Sequence, residues 1–304
     1  MSASRSPREP QARRTAAPGA PGVPARVGVL GGGRMGAGIA HAFLLAGSRV
    51  VVVERDEAAA AAASERIRTS LLRSVERGST DRTIAALEGA LETSTDAAVF
   101  ADAGLVIEAV PEDRVLKAES LRRIEAVVAR GAAIASNTSS ISIDALGAGL
   151  AHPERFLGLH FFNPVPASAL VEVVVGVSTD QELVGDARGW VAALGKTAVV
   201  VADAPGFASS RLGVAIALEA IRMLEEGVAT AADIDAAMEL GYRHPTGPLR
   251  TTDIVGLDVR LGIAEELHAK LGDRFAPPQL LRDLVADGHL GRKTGRGFYE
   301  WSEG

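Results

Sequence analysis

The sequence predicts an α/β chain, a doubly wound and mostly parallel sheet followed by an all-helical segment. Three observations predict it. Apolar runs of strand length alternate with amphipathic helix patterns from Arg26 to Val201, the rhythm of a parallel sheet covered on both faces. One of these runs, Arg49–Val53, holds four consecutive valines, as a strand buried on both faces requires. Past Pro205-Gly206 the strand pattern stops and only helix patterns follow.

The elements follow in order. Val27-Gly28-Val29-Leu30 reads as a strand running into Gly31-Gly32-Gly33-Arg34-Met35-Gly36 and then an apolar helix pattern. Strand, Gly-x-Gly-x-x-Gly and helix in succession is the dinucleotide fingerprint of a Rossmann-like domain. Gly31 permits the tight turn, Gly33 lets a pyrophosphate approach the backbone, and Gly36 lets the helix pack closely. Arg34 and Met35 open the helix whose free N–H groups and dipole would hold phosphate. The valine strand ends at Glu54, about 20 residues past the glycines, where a carboxylate accepts hydrogen bonds from a ribose 2′-hydroxyl. A 2′-phosphate there would meet a like charge, so NAD is expected rather than NADP, with the neighbouring Arg55 as the one contrary sign. An Ala-rich helix then spans Asp56 to Arg77, and Asp81 is placed to cap a short helix ending at Gly89. Strands are expected at Leu91–Thr95, Leu105–Ala109, Ala132–Ser136, Phe156–Leu159, Leu170–Val175 and Thr197–Val201, with a helix over Glu112 to Arg130. The helical segment is expected as Arg211 to Glu226, Ala231 to Leu240, Gly256 to Leu271 and Pro278 to Ala286.

This divides the chain into a disordered leader (residues 1–24), a cofactor-binding domain (25–204) and a helical domain (205–304). The leader is rich in Pro, Ala, Arg and Ser and lacks the apolar stretch of a secretory signal. The net charge of −6 gives no basis for nucleic acid or an anionic membrane as partner. No uncharged apolar stretch is long enough to span a bilayer, and a cytoplasmic location is expected. The chain has no cysteine, which removes disulfides, thiolate metal sites and a thiol nucleophile. No metal is expected.

Two titratable residues stand in unusual company. His160 lies at a predicted strand end, in Gly158-Leu159-His160-Phe161-Phe162-Asn163-Pro164, and such ends line the ligand crevice of an open α/β sheet. Glu172 interrupts the apolar run Leu170–Val175, where a buried carboxylate needs a partner. Paired, the carboxylate would fix the imidazole tautomer and stabilise the imidazolium. The imidazole could then take the proton of a substrate hydroxyl while its carbon gives a hydride to nicotinamide. The plainer alternative is a structural histidine and a Glu172 on an edge strand facing water.

The chain resembles the short-chain L-3-hydroxyacyl-CoA dehydrogenases of the 3-hydroxybutyryl-CoA dehydrogenase type. The segments carrying the resemblance include Val110-Pro111-Glu112-Asp113 through Lys117, Ala135-Ser136-Asn137-Thr138-Ser139-Ser140, His160 through Pro166, Leu170 through Val174, Asp203-Ala204-Pro205-Gly206-Phe207, and Gly291 through Tyr299. The resemblance implies NAD, an acyl-CoA substrate, His160 as base and Glu172 as its orienting carboxylate. It implies Ser139 as the hydrogen-bond partner of the substrate 3-oxygen, close to the nicotinamide. Glu112, Lys117 and Asn163 match positions lining the cofactor, and Ser70 and Arg77 match positions touching CoA. It also implies a homodimer formed by the helical domain, for which Leu212, Ala215, Ile216 and Leu218 offer a face that could equally be internal. The chain departs from the family at Ser210, where an asparagine usually contacts the catalytic pocket, and at Ala169, often lysine. These departures bear on the substrate more than on the reaction. An acyl-carrier-protein thioester, a free 3-hydroxy or sugar acid, and a non-catalytic dinucleotide-binding role are the alternatives.

Overall fold

The computed structural model describes residues 22–301, so the leader expected over residues 1–24 falls, up to residue 21, outside them. Among the described residues eight strands are formed: β1 (Arg26–Leu30), β2 (Arg49–Val53), β3 (Leu91–Ser94), β4 (Leu105–Glu108), β5 (Ala133–Ser136), β6 (Phe156–Phe161), β7 (Leu170–Val175) and β8 (Thr197–Ala202). They make one sheet in the order β3-β2-β1-β4-β5-β6-β7-β8. Every pairing is parallel except β6 with β7. The strand order reverses between β1 and β4, so a crevice opens beyond their carboxyl ends.

Helices α1 (Arg34–Leu45), α2 (Glu57–Glu76), α3 (Ile84–Glu88), α4 (Arg114–Glu125), α5 (Ile143–Gly147) and α6 (Gln181–Ala193) accompany the sheet. Side chains alternate across it. Val50 and Val52 of β2 enter a core with Ile39, Phe43, Ile67 and Leu71, whereas Val51 and Val53 enter a second core with Phe100, Leu121 and Ile124. All four valines are at most 1% exposed, and burying each stabilises the fold by about 1.5 kcal/mol. A third core joins α7 (Ser209–Glu225), α8 (Ala231–Ala236), α9 (Pro248–Val255), α10 (Leu257–Leu271) and α11 (Gln279–Ala286) through residues such as Val214, Ile221, Leu249, Leu257 and Leu281.

Several expected boundaries shift for local reasons. Thr83, not Asp81, caps α3, its side chain accepting from the Ala86 N–H. The helix expected from Glu112 begins at Arg114, because the Asp113 carboxylate caps it by accepting from the Leu116 N–H, and it ends at Glu125. The helix expected to reach Leu240 leaves α geometry after Ala236 and widens over Ala237–Gly241. Helix α9 is an element the sequence pattern does not announce: Pro248 at its first turn resembles loop punctuation but starts a helix well. Leu218 is 1% exposed and belongs to the core, while Leu212 is 63% exposed, so the face expected on α7 is split between inside and outside.

Candidate active site

The glycine turn after β1 forms the first wall. Gly31 has φ +96°, and a Cβ there would come within 2.9 Å of the Ala109 carbonyl oxygen. A Cβ at Gly36 would overlap the Gly31 carbonyl, so α1 can approach the turn only with glycine. At Gly33 a Cβ would meet nothing, leaving open space over the backbone. The first turn of α1, with Arg34 and Met35, has neither a side-chain cap nor an acidic residue. Its N–H groups and positive dipole end are thus free for an anion. Glu54 reaches this turn, its Oε1 accepting from the Gly32 N–H at 2.7 Å. Open backbone, uncapped helix start and adjacent carboxylate fit the pyrophosphate and ribose of a dinucleotide.

The second wall lies beyond β4 and β5. Glu108, the last residue of β4, is fully buried. Its Oε1 accepts from Lys117 Nζ at 2.8 Å and from the Val110 N–H at 2.7 Å, and its Oε2 accepts from Ser136 Oγ at 2.6 Å. Burial pushes the Glu108 carboxyl above the usual carboxylate range despite these contacts. Lys117, 1% exposed, also lies 3.3 Å from Glu112 Oε2. Glu112 Oε1 accepts from Thr138 Oγ1 at 2.6 Å, the Ser139 N–H at 2.9 Å, the Ser140 N–H at 3.1 Å, Ser139 Oγ at 3.2 Å and Ser140 Oγ at 3.3 Å. Burial alone would raise Glu112, but Lys117 and these donors outweigh it and hold the carboxyl below its ordinary value. Glu112, Lys117 and Ser139 are therefore one connected cluster.

The dyad follows from strand register. In the antiparallel β6–β7 pair His160 stands directly opposite Glu172, and opposed side chains share one face of the sheet. His160 Nδ1 lies 2.8 Å from Glu172 Oε2. Glu172 is not on an edge: β8 covers β7, and Glu172 is fully buried. Its Oε1 accepts from the Ala208 N–H at 3.1 Å and the Ser209 N–H at 2.8 Å, and its Oε2 also accepts from Ser209 Oγ at 2.7 Å. Burial would raise this carboxyl, but the bonds from His160 and Ser209 prevail and leave it below the usual range. His160 is 6% exposed, with the Phe162 ring centroid at 4.4 Å and that of Phe207 at 5.8 Å. With Nδ1 facing the carboxylate, Nε2 is the nitrogen left to exchange a proton.

Other expected residues stand further out. Asn163, three residues past His160, is exposed. Ser210 makes no side-chain hydrogen bond among the described residues; its neighbour Ser209 holds Glu172 instead. Ser70 donates to the Arg66 carbonyl oxygen within α2, and Arg77 is the exposed residue just past that helix. Reading the sequence missed Ser209, Thr138, Asn137, Ser136 and Glu108. Asn137 Oδ1 accepts from the Phe161 N–H at 2.9 Å and so joins the Ser139 loop to the end of β6. Glu108 had a signal, a carboxylate inside Leu-Val-Ile-Glu with a lysine nine residues on.

A dinucleotide turn and a His–Glu pair on one sheet define an NAD-linked oxidoreductase acting on an alcohol. Residues 26–204 match the model of the 3-hydroxyacyl-CoA dehydrogenase NAD binding domain, and residues 206–301 match that of the 3-hydroxyacyl-CoA dehydrogenase C-terminal domain. The chain belongs to the 3-hydroxyacyl-CoA dehydrogenase family, and it is an NAD-dependent oxidoreductase of the CH–OH group. It is 44% identical over 280 residues to 3-hydroxybutyryl-CoA dehydrogenase of Mycobacterium tuberculosis (strain ATCC 25618 / H37Rv), covering 91% of this chain and 98% of that one. It is 40% identical over 277 residues to a probable 3-hydroxybutyryl-CoA dehydrogenase of Bacillus subtilis (strain 168), covering 90% and 96%. The crystal structure of (S)-3-hydroxybutyryl-CoA dehydrogenase from Ralstonia eutropha superposes with a TM-score of 0.88 at 38% identity, covering 92% of this chain and 100% of that one.

Proposed function

We propose that this dehydrogenase oxidises the 3-hydroxyl of a short (S)-3-hydroxyacyl-CoA, such as 3-hydroxybutyryl-CoA, reversibly and with His160 as general base. The carrying observation is the 2.8 Å contact between His160 Nδ1 and a Glu172 carboxylate held anionic in the sheet. NAD, when bound, supplies the hydride acceptor. Gly31, Gly33, Gly36 and the first turn with Arg34 and Met35 would hold its phosphates, and Glu54 its ribose. Glu112, Lys117 and Asn163 would line its nicotinamide half. His160 Nε2 receives the hydroxyl proton, and Glu172 stabilises the imidazolium that results. Ser139, its backbone N–H held by Glu112, turns its one hydroxyl proton from Glu112 Oε1 to the substrate 3-oxygen as that becomes a ketone oxygen. The relatives' names support the short acyl chain.

The carrier is tested by turnover. We expect kcat/KM for 3-hydroxybutyryl-CoA to exceed that for free 3-hydroxybutyrate by at least about 100-fold, because the remote carrier contributes binding energy to the reacting centre. Comparable rates on the free acid would refute the thioester assignment and leave Ser70 and Arg77 without a ligand. The acyl-carrier-protein thioester is assayed alongside, and a preference for it would replace CoA as the carrier.

Two units are part of this proposal. Residues 25–204 carry the cofactor and the dyad, and residues 205–304 close the cleft and pair with a second copy. The pairing draws support from large apolar side chains left exposed on three helices that pack together: Leu212 and Ile216 on α7, Ile254 and Val255 on α9, and Val259 on α10. Light scattering is expected to give a dimer, and Leu212→Glu with Ile216→Glu a monomer, since charges on an apolar face oppose its burial. We place the enzyme in the cytoplasm together with its CoA and NAD substrates; among the described residues no helix is long and apolar enough to cross a membrane, and no group of His, Asp or Glu could hold a metal ion.

A further inference from the structure

Glu172 is bonded from two sides. His160, the only other titratable residue on β6 and β7, approaches from the sheet, whereas Ala208 and Ser209 approach from the start of α7. Oε1 is occupied by two backbone N–H groups, which any residue but proline would supply at those positions. Oε2 is different. It accepts from His160 at 2.8 Å and from the Ser209 hydroxyl at 2.7 Å, so one oxygen serves both. The hydroxyl is the only side-chain donor to Glu172 besides the imidazole among the described residues.

We propose that Ser209 is a positioning residue that tunes the base: its hydroxyl shares Glu172 Oε2 with His160 and limits how strongly the carboxylate holds the imidazolium. This inference rests on His160 being the base. A hydrogen bond to an anionic oxygen draws charge density from it and favours the charged carboxylate. Less of that charge is then available to stabilise a proton on the imidazole. Ser209 thereby weakens the pull of the carboxylate on the imidazole N–H. It also fixes the carboxylate rotamer and, through it, the ring.

Few other charges bear on the pair. Strands β5 and β8, adjoining β6 and β7, contain no charged residue. Around the start of α7 the charged residues in sequence are Asp203, whose carboxylate is bonded by Ser142 Oγ and the Asp144 N–H, and Arg211; of the helices packed on β6 and β7, α5 carries Asp144 and α6 carries Glu182, Asp186 and Arg188. Lys196, ahead of β8, donates to the Val165 and Ser168 carbonyl oxygens. None of these contacts involves Ser209.

The test is the pH dependence of kcat/KM for 3-hydroxybutyryl-CoA oxidation in the parent, Ser209→Ala and Ser209→Thr. In Ser209→Ala the acid limb is expected to move up by about 0.5 pH unit, with kcat down by about 3- to 10-fold and KM for NAD little changed. Ser209→Thr keeps a hydroxyl and is expected to return the limb to its parental position. A Ser209→Ala limb that overlays the parent's would overturn the proposal, as would a shift that threonine does not reverse. A thermal melt on each variant separates loss of fold from loss of tuning, and an unfolded alanine variant leaves the threonine and glycine variants to decide by the same profile. Failure of the underlying reading looks different: His160→Gln would then remain active whatever Ser209 does.

Discussion

Replacing His160 by glutamine is expected to lower kcat for 3-hydroxybutyryl-CoA oxidation by about 1,000-fold or more, the contribution of a well-placed general base. Glutamine preserves much of the ring's bulk and can still donate to Glu172, but it has no nitrogen that takes up a proton. Binding of NAD should change by no more than about two-fold, because every group assigned to the phosphates and ribose lies in the turn after β1, at the start of α1 or just past β2, none of them on β6. The loss should therefore appear in kcat and kcat/KM together, as for an interaction made only in the transition state. Fluorescence titration with NADH and steady-state kinetics separate the two effects. A variant retaining more than about a hundredth of parental kcat would exclude His160 as base, since loss of a proton acceptor must show at least about a 100-fold effect.

What could be read from the chain alone divides along a physical line. The dinucleotide turn is local: Gly31, Gly33, Gly36 and Glu54 lie within one β-α-β unit, and their roles follow from backbone geometry over 24 residues. The His160–Glu172 pair was legible for a different reason. A carboxylate in an apolar run demands a partner, and only a short connection separates the two strands. That β6 and β7 run antiparallel, with these residues in register, came from the structure. What stayed hidden were contacts between distant segments. Ser209 meets Glu172 across 37 residues of sequence, and Thr138 meets Glu112 across 26. Serine and threonine satisfy themselves in any polar loop, so neither residue type announces a long-range role. Ser210 is the position that departs from the family pattern, but the hydroxyl that bonds the dyad is one residue earlier. Leu212, Ala215, Ile216 and Leu218 show the same limit, since which apolar side of α7 faces inward depends on where α9 and α10 lie.

Lys117→Met should be the most destabilising single change near the site. Lys117 and Glu108 are 1% and 0% exposed, with Nζ 2.8 Å from Oε1. Methionine fills most of the lysine stem's volume, but it leaves the Glu108 charge buried with only Ser136 Oγ and the Val110 N–H as donors. Breaking a buried pair from one side costs about 3–5 kcal/mol at neutral pH, or a fall in Tm of about 10 °C for a chain of this size. The loss should depend on pH in a defined direction. The folded Glu108 carboxyl titrates above its ordinary value, so proton uptake favours the folded state: its contribution is complete below the unfolded pKa and fades as pH rises through the folded one. Without Lys117 that folded value moves higher still, and protonation can relieve the buried charge in a window starting near the ordinary carboxylate range. The Tm gap between Lys117→Met and the parent is thus expected to be smaller at about pH 5 than at about pH 8. Glu112 also loses its Lys117 contact, the strongest influence holding its carboxyl low in the parent, so its carboxyl moves up in the variant and its loss of stability runs in the same direction with pH. The double variant Glu108→Gln with Lys117→Met removes both charges and should recover most of the loss, because an amide can keep the Ser136 bond without leaving an ion in the core. Differential scanning calorimetry of the three proteins at both pH values decides the matter. A Tm gap that does not change with pH, together with a double variant no more stable than Lys117→Met, would mean that the lysine acts through its packing rather than through its charge.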